Sequence, residues 1–199
     1  MKELILASAS ARRRELMKTC GYEFTAIPSP AEEEAAARDP ARLVEELSLI
    51  KARSVFESLE PGRAANAVVV GSDTVVVLEG GVLGKPQSEE EAAEMLRRES
   101  GKQNEVYTGL AVVSADESGA VRVSVTHDRA LVKFAELTED EIAAYVRSGE
   151  PMDKAGAYGI QGSFAVHIES VSGSYFTVVG LPVHLLYREL KAVGILPRC

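Results

Sequence analysis

The sequence predicts an α/β fold, on three observations. Apolar runs rich in valine and leucine, at residues 4–7, 67–70 and 75–78, read as buried strands. Helical start signals stand between and after them, at Asp39-Pro40, Ser88-x-x-Glu91 and Thr138-x-x-Glu141. The 199 residues, 46% hydrophobic and 26% charged, suit one globular domain, or two lobes around a cleft, with a sizeable core.

Leu4-Ile5-Leu6-Ala7 opens the chain as a short buried strand, and Ser8-Ala9-Ser10 leads into a helix capped by Ser10 and stopped at Gly21. Arg12 and Arg13 then fall in the first helical turn, where the helix dipole disfavours cations. Free backbone N–H groups, serine hydroxyls and two guanidiniums at that point make an anion site suited to phosphate oxygens. Arg14 fits a solvated basic face. Residues 22–27 read as a second strand, broken by Pro28-Ser29-Pro30. In Glu32-Glu33-Glu34, the acids fit a solvated helix start, or a pair of carboxylates past a strand end that could ligate Mg²⁺.

A helix follows from Asp39-Pro40 to about Leu59, with Leu43, Leu47, Ile50, Val55 and Phe56 among its apolar positions. Lys51 lies beside that stripe and, from the residues alone, reads as a structural lysine reaching for solvent. Pro61-Gly62 ends the helix. The stretch that organises the chain comes next, AVVVGSDTVVVLEGGVLGKP at residues 67–86. Gly71-Ser72-Asp73-Thr74 separates two strands, so Asp73 needs a metal, a cationic side chain or solvent, because a lone buried carboxylate is costly. Glu79-Gly80-Gly81 makes a turn, and Gly84-Lys85-Pro86 places a cation on a rigid loop. Asp73 and Lys85 read as facing one polyphosphate site; the plainer alternative is a capping acid and a surface lysine.

Helices start at the two Ser/Thr-x-x-Glu boxes and stop at Gly101 and Gly149. Residues 106–113, interrupted by Tyr107-Thr108-Gly109, and residues 121–134 read as antiparallel strands. Residues 150–162, EPMDKAGAYGIQG, hold three glycines and a proline, so they form neither regular helix nor strand. An acid, a lysine, a tyrosine and an amide on such a loop point to function, and the Gln161 amide can both donate to and accept from a base edge. Residues 164–171 and 175–179 read as a terminal hairpin, followed by a last helix from Gly180-Leu181-Pro182 to Gly194. The three histidines share no ligand spacing.

The net charge of −8 argues against general nucleic-acid binding, which shows a basic footprint. Cys20 and Cys199 have no metal-like spacing and read as free thiols of a reducing compartment. The N-terminal apolar run is too short for a signal peptide and no stretch approaches a membrane span, so a cytoplasmic protein is expected.

Four blocks in order, LILASASARRRELM, GSDTVVVLEGGVLGKP, EPMDKAGAYGIQG and GSYFTVVGLP, resemble the Maf family of nucleoside triphosphate pyrophosphatases. The resemblance spans essentially the whole chain. It implies one domain over residues 1–199, an elongated two-lobed mixed sheet with flanking helices and a central cleft, similar to inosine triphosphate pyrophosphatases. It also implies a homodimer and a hydrolase that splits nucleoside triphosphates between the α and β phosphates with a divalent metal, Mg²⁺ or Mn²⁺. Carried over residue by residue, it makes Asp73 the general base and links Arg12, Thr74 and Gln161 to substrate selection and phosphate binding. Arg13, Lys51 and Lys85 become cations around the triphosphate, and Glu33 joins Asp73 at the metal. This replaces the structural reading of Lys51. The loop ending Gly159-Ile160-Gln161-Gly162 resembles the branch acting on dTTP and UTP, modified pyrimidine nucleotides being a variant of that substrate class. The branch acting on 7-methyl-GTP carries an acid in place of the amide. Two departures stand out: Ala11 where the family has proline, and Ser29-Pro30-Ala31-Glu32-Glu33 where it often has Ser-x-Val-Glu-Glu, which leaves Glu32 and Glu34 beside Glu33 as candidate ligands. A 7-methyl-GTP pyrophosphatase and a nucleotide-binding regulator of cell division are the alternatives. A nucleotidyltransferase fits less well, since Ser8-Ala9-Ser10-Ala11 lacks the glycines that bring backbone close to phosphate.

Overall fold

A computed structural model describes residues 2–32, 34–116 and 118–198 of the chain. It is a mixed α/β structure. Among the described residues seven strands form a sheet in the order β2-β1-β3-β5-β6-β7, with β4 paired to β3. These strands are β1 (Glu3–Leu6), β2 (Thr25–Ala26), β3 (Ala67–Leu78), β4 (Gly81–Leu83), β5 (Gln103–Ala115), β6 (Val121–Phe134) and β7 (Ile168–Ser172). The helices are α1 (Ala11–Thr19), α2 (Pro40–Ser58), α3 (Pro61–Ala64), α4 (Glu89–Glu99), α5 (Glu139–Arg147), α6 (Tyr175–Val179) and α7 (Val183–Ala192). No described helix is long and apolar enough to cross a membrane.

The chain divides into two compact units. The first holds Met1–Asp73, Thr108–Asp128 and Gly180–Cys199. In it β1 pairs in parallel with both β2 and β3, Ile5 lying opposite Thr25 and Val69. Parallel strands covered on both faces read as continuous apolar runs, which is why residues 4–7 and 67–70 carry no polar alternation. One face of this sheet presents Ile5, Ala7, Ala67, Val69, Ala111 and Val113, which pack with Ala52, Val55 and Phe56 of α2. The alternate residues Leu4, Leu6, Val68 and Val70 are buried as well. Helix α2 begins where expected: Asp39 caps it by accepting the Arg42 N–H at 3.0 Å, with Pro40 in the first turn.

The second unit holds Thr74–Tyr107 and Arg129–Val179. Its core joins Val76, Leu78, Val132 and Phe134 from strands to Met95 and Leu96 of α4 and Ile142 and Tyr145 of α5. Tyr158 meets Phe134 edge-on with ring centroids 4.7 Å apart, and Phe164 lies 5.0 Å from Phe134. Thr138 and Glu141 form the complete reciprocal capping box expected of them. The other box is half made: Ser88 accepts the Glu91 N–H, but the Glu91 carboxylate accepts from Gln87 N–H at 2.7 Å, not from the cap residue.

Several sequence expectations are corrected. Residues 67–78 form one 12-residue strand, not two separated by residues 71–74, because sheet pairing and burial of Gly71 and Ser72 override the weak strand preference of Gly, Ser and Asp. Tyr107-Thr108-Gly109 likewise lies inside β5 and does not interrupt it. The second strand shrinks from residues 22–27 to Thr25–Ala26. Pro61-Gly62 does not merely end α2; Pro61 opens the single turn of α3. A strand absent from the sequence reading, β4, pairs antiparallel with β3 across a two-residue turn in which Glu79 and Gly80 both take positive φ, 52° and 79°, as tight hairpin turns require. The terminal hairpin is not formed. Residues 163–167 make a 3-10 turn, β7 pairs with β6, and residues 175–179 are helical. Thr177 N–H bonds Ser174 C=O at 3.1 Å, closing a helical turn that β-branched and aromatic side chains do not favour on their own.

Candidate functional site

The first unit builds its polar site from strand ends. β1 delivers Ser8 and Ser10 to the start of α1, where Ser10 Oγ accepts the Arg13 N–H at 3.4 Å and Ser8 Oγ accepts the Ser10 N–H at 3.2 Å. Arg12 and Arg13 stand in the first turn, half-buried, in a helix with no acidic residue at its start. Arg13 is held from two sides. Its Nε donates to Gly180 C=O at 2.7 Å and its Nη1 to Ser8 Oγ at 3.4 Å. Gly180 C=O also accepts from Ser72 Oγ at 3.2 Å, and Ser72 lies nearer still to Gly109 C=O, at 2.7 Å. Arg13 is thereby tied to the residue preceding Asp73.

Two glycines bring Lys51 to Asp73. A Cβ on Gly71 would lie 2.2 Å from Ser48 C=O, and one on Gly109 would lie 2.1 Å from Val44 C=O. The backbone of α2 therefore rests directly on β3 and β5. Ser48, fully buried there, turns its hydroxyl back to Val44 C=O at 2.6 Å. Gly71 and Asp73 share one face of β3, since strand side chains alternate with period two. Lys51, three residues after Ser48, meets Asp73 from α2 with Nζ 2.5 Å from Oδ1. The two side chains are 11% and 13% exposed, so this is a largely desolvated ion pair. The cationic side chain that Asp73 needs is Lys51, which is buried and does not snorkel to solvent. The serine hydroxyls at 8 and 72 were legible beside the arginines and Asp73, but Ser48, Gly71, Gly109 and Gly180 were given no part in the site from the sequence. A mid-strand glycine at 71 and a second at 109 were the available signals, since glycine in a strand often marks close backbone approach.

The remaining candidates belong to the second unit. Thr74 follows Asp73 on β3 and is half-buried. Lys85 is exposed beside buried Pro86, and Gln161 is exposed on the loop at residues 150–162. That loop is built from two 3-10 turns, Glu150–Asp153 and Ala155–Ala157. Gly156 N–H bonds Gly84 C=O at 3.0 Å, which joins the loop carrying Gln161 to the loop carrying Lys85. Lys154 Nζ donates to Glu150 C=O at 3.1 Å and pairs with Asp153.

Glu33 lies outside the described residues, as does Cys199; Glu32 and Glu34 are exposed. Among the described residues there is no group of three His, Cys, Asp or Glu side chains that could hold a metal ion. The donor chemistry of Asp73 nonetheless suits a hard cation. Mg²⁺ takes one or two carboxylates and fills its shell with water and phosphate oxygens, so it needs no three-residue cage. Taken together, the first unit offers an anion-binding strand-to-helix turn, a guanidinium anchored in place and a carboxylate held by an ammonium. This set can bind phosphate oxygens and accept a proton from water.

The family model described as Maf-like protein matches residues 3–193. A dTTP/UTP pyrophosphatase of Symbiobacterium thermophilum is 48% identical over 195 residues, covering 98% of this chain and 95% of that protein. A protein of the same name from Lachnoclostridium phytofermentans is 43% identical over 195 residues, covering 98% and 97%. Among solved structures, the Ham1 protein of Staphylococcus aureus is similar with a TM-score of 0.47 and 15% identity, covering 67% of this chain and 72% of that one.

Proposed function

The chain belongs to the Maf family, and on that footing we propose that it hydrolyses dTTP and UTP to the nucleoside monophosphate and pyrophosphate. The observation that carries the chemistry is the largely desolvated pair of Lys51 on α2 and Asp73 on β3, in the same unit as the Ser8-x-Ser10 turn and its two arginines. The pyrimidine preference rests on the names of relatives 43% and 48% identical over nearly their full length.

Asp73 acts as general base, taking a proton from the water that attacks the α-phosphorus. The bond between that phosphorus and the bridging oxygen to the β-phosphorus breaks, and pyrophosphate departs with the electron pair. Lys51 holds the Asp73 carboxylate at 2.5 Å and fixes its direction. Arg12 and Arg13, with the α1 N–H groups, neutralise charge on the phosphate oxygens. We assign Lys85 to the triphosphate as well, and Thr74 and Gln161 to substrate selection. A divalent cation held by Asp73 and Glu33 would supply Lewis-acid polarisation of the phosphoryl oxygen and make the attacking water more acidic. Phosphoryl transfer leaves the protein mainly positioning and electrostatics to provide, which is what these residues offer.

The test is pyrophosphate release from a panel of nucleoside triphosphates, with Mg²⁺ or Mn²⁺ and with chelator. Selective, metal-dependent turnover of dTTP and UTP supports the proposal. Turnover favouring 7-methyl-GTP overturns the base preference while keeping the chemistry. Binding without turnover of any triphosphate overturns the enzymatic reading.

A further inference from the structure

A buried polar chain in the second unit has no part in the chemistry above. Glu99, the last residue of α4, is 1% exposed, and Asn104 is equally buried. Asn104 Nδ2 donates to Glu99 Oε1 at 2.9 Å, and Tyr158 OH donates to Asn104 Oδ1 at 3.2 Å. Glu99 Oε2 has no hydrogen-bond partner among the described residues. Burial pushes the Glu99 carboxyl up to about 8, against the opposing pull of the Asn104 bond and the Arg98 charge, so the group is a neutral acid near pH 7. Burial likewise raises the Tyr158 phenol. A leucine at 99 would leave the buried Asn104 Nδ2 without this acceptor, so the polar pair holds together as a unit.

What the chain touches is the loop at residues 150–162. Gly156 backs onto Glu99, and a Cβ there would lie 3.0 Å from Val76 Cγ1 and 3.3 Å from Glu99 Oε1. Gly156 and Ala157 both take positive φ, 71° and 59°. For alanine this is a strained state that persists only where the surroundings over-determine it. The surroundings are specific. Tyr158 is pinned by its hydroxyl to Asn104 and by its ring to Phe134. The next N–H, of Gly159, donates to Tyr145 OH at 3.2 Å. Beyond Gln161, the Ser163 N–H closes the loop onto Glu150 Oε2 at 3.3 Å. Gln161 thus extends from a backbone held on both sides, while Gly156 passes the same constraint to the Lys85 loop through Gly84.

We propose that Glu99, Asn104 and Tyr158 are positioning residues for nucleotide recognition, a buried polar chain that sets the backbone from which Gln161 and, through the Gly156–Gly84 bond, Lys85 reach the substrate. The proposal rests on the reading of Gln161 as a substrate-selecting residue. It requires Glu99 as a neutral hydrogen-bonding group, not as a charge.

The experiment compares Tyr158→Phe, Glu99→Ala, Glu99→Gln and Gln161→Ala for kcat and KM on UTP and CTP, with Tm measured on each. Tyr158→Phe and Glu99→Ala are expected to raise KM for UTP about tenfold, the scale of one lost buried hydrogen bond, with kcat little changed. Both should shift the UTP-to-CTP ratio of kcat/KM in the same direction as Gln161→Ala. Glu99→Gln should restore wild-type values. Tyr158→Phe added to Gln161→Ala should move the ratio no further, because the two act through one element. A Tyr158→Phe protein with wild-type KM and ratio overturns the proposal. So does a uniform loss on both nucleotides that tracks Tm, which marks a merely structural role. If Tyr158→Phe shifts the ratio and Gln161→Ala does not, the assignment of Gln161 fails while the positioning chain is upheld.

Discussion

Asp73 and Glu99 are both carboxylic acids drawn into the interior on regular elements, yet their settings are opposite. Asp73 stands mid-strand, half-buried, with an ammonium 2.5 Å away. Glu99 stands at a helix end, 1% exposed, with an amide on one oxygen and no hydrogen-bond partner among the described residues on the other. A carboxylate beside a cation can bind, orient and accept protons; an acid facing an amide and apolar side chains keeps its own proton and serves as a neutral fastener. The contrast sets the chemistry proposed for Asp73 against the positioning proposed for Glu99, and each half of it can be broken.

The largest effect is expected from Asp73→Asn. It should keep nucleotide binding and lose about two or more orders of magnitude in turnover, the range for a removed general base. Pyrophosphate release measured beside nucleotide binding decides it, and near-normal turnover would sink Asp73 as base. Lys51→Met tests the partner. It leaves Asp73 largely desolvated without its cation, so urea unfolding should show a loss of about 3 kcal/mol, at the scale of a broken buried pair. The double variant Lys51→Met with Asp73→Asn should recover part of that loss, since no uncompensated charge then remains. Full additivity of the two single effects would mean that the pair is not coupled.

A smaller loss is expected from Gly71→Ala. The new Cβ would meet the α2 backbone at 2.2 Å. Overpacking of this kind costs about 1–3 kcal/mol, and here it should also lower turnover, because the shift displaces Lys51. An equal Tm and turnover in this variant would show that α2 can retreat without cost. The last effect concerns pH. Glu99 titrates near 8 in the folded chain against an ordinary value of 4.5. Between those values the folded chain keeps a proton that the unfolded chain has lost. The contribution of Glu99 to stability therefore falls as pH rises through that window and levels off above it. Glu99→Gln should flatten this part of the Tm-against-pH curve; an unchanged slope would mean that Glu99 is already ionised in the folded protein.

Much of the first unit's site was legible in the sequence. A strand followed by Ser-x-Ser and two arginines announces an anion site because the helix cap and the charges lie within five residues of one another. Asp73 was legible as an acid among valines. Lys51 was not, from its neighbours, because its meaning depends on a partner 22 positions away and on two glycines that admit the helix between them. Glu99 was given no role from the sequence, since nothing local marks an acid near the end of a helix. In the folded chain Gly156 backs onto it, and burial there raises its carboxyl pKa.

Capping and periodicity act over three or four residues, so the sequence alone was enough to specify α2 with its Asp39 cap, the Thr138–Glu141 box and the apolar runs of β1 and β3. The tertiary structure decided what those short-range forces leave open. It made residues 67–78 one strand, turned residues 175–179 into a helix, added β4, and gave Lys51 and Glu99 their partners. In each case the deciding quantity is burial against residues distant in the chain, and desolvation there is large enough to overrule local preference.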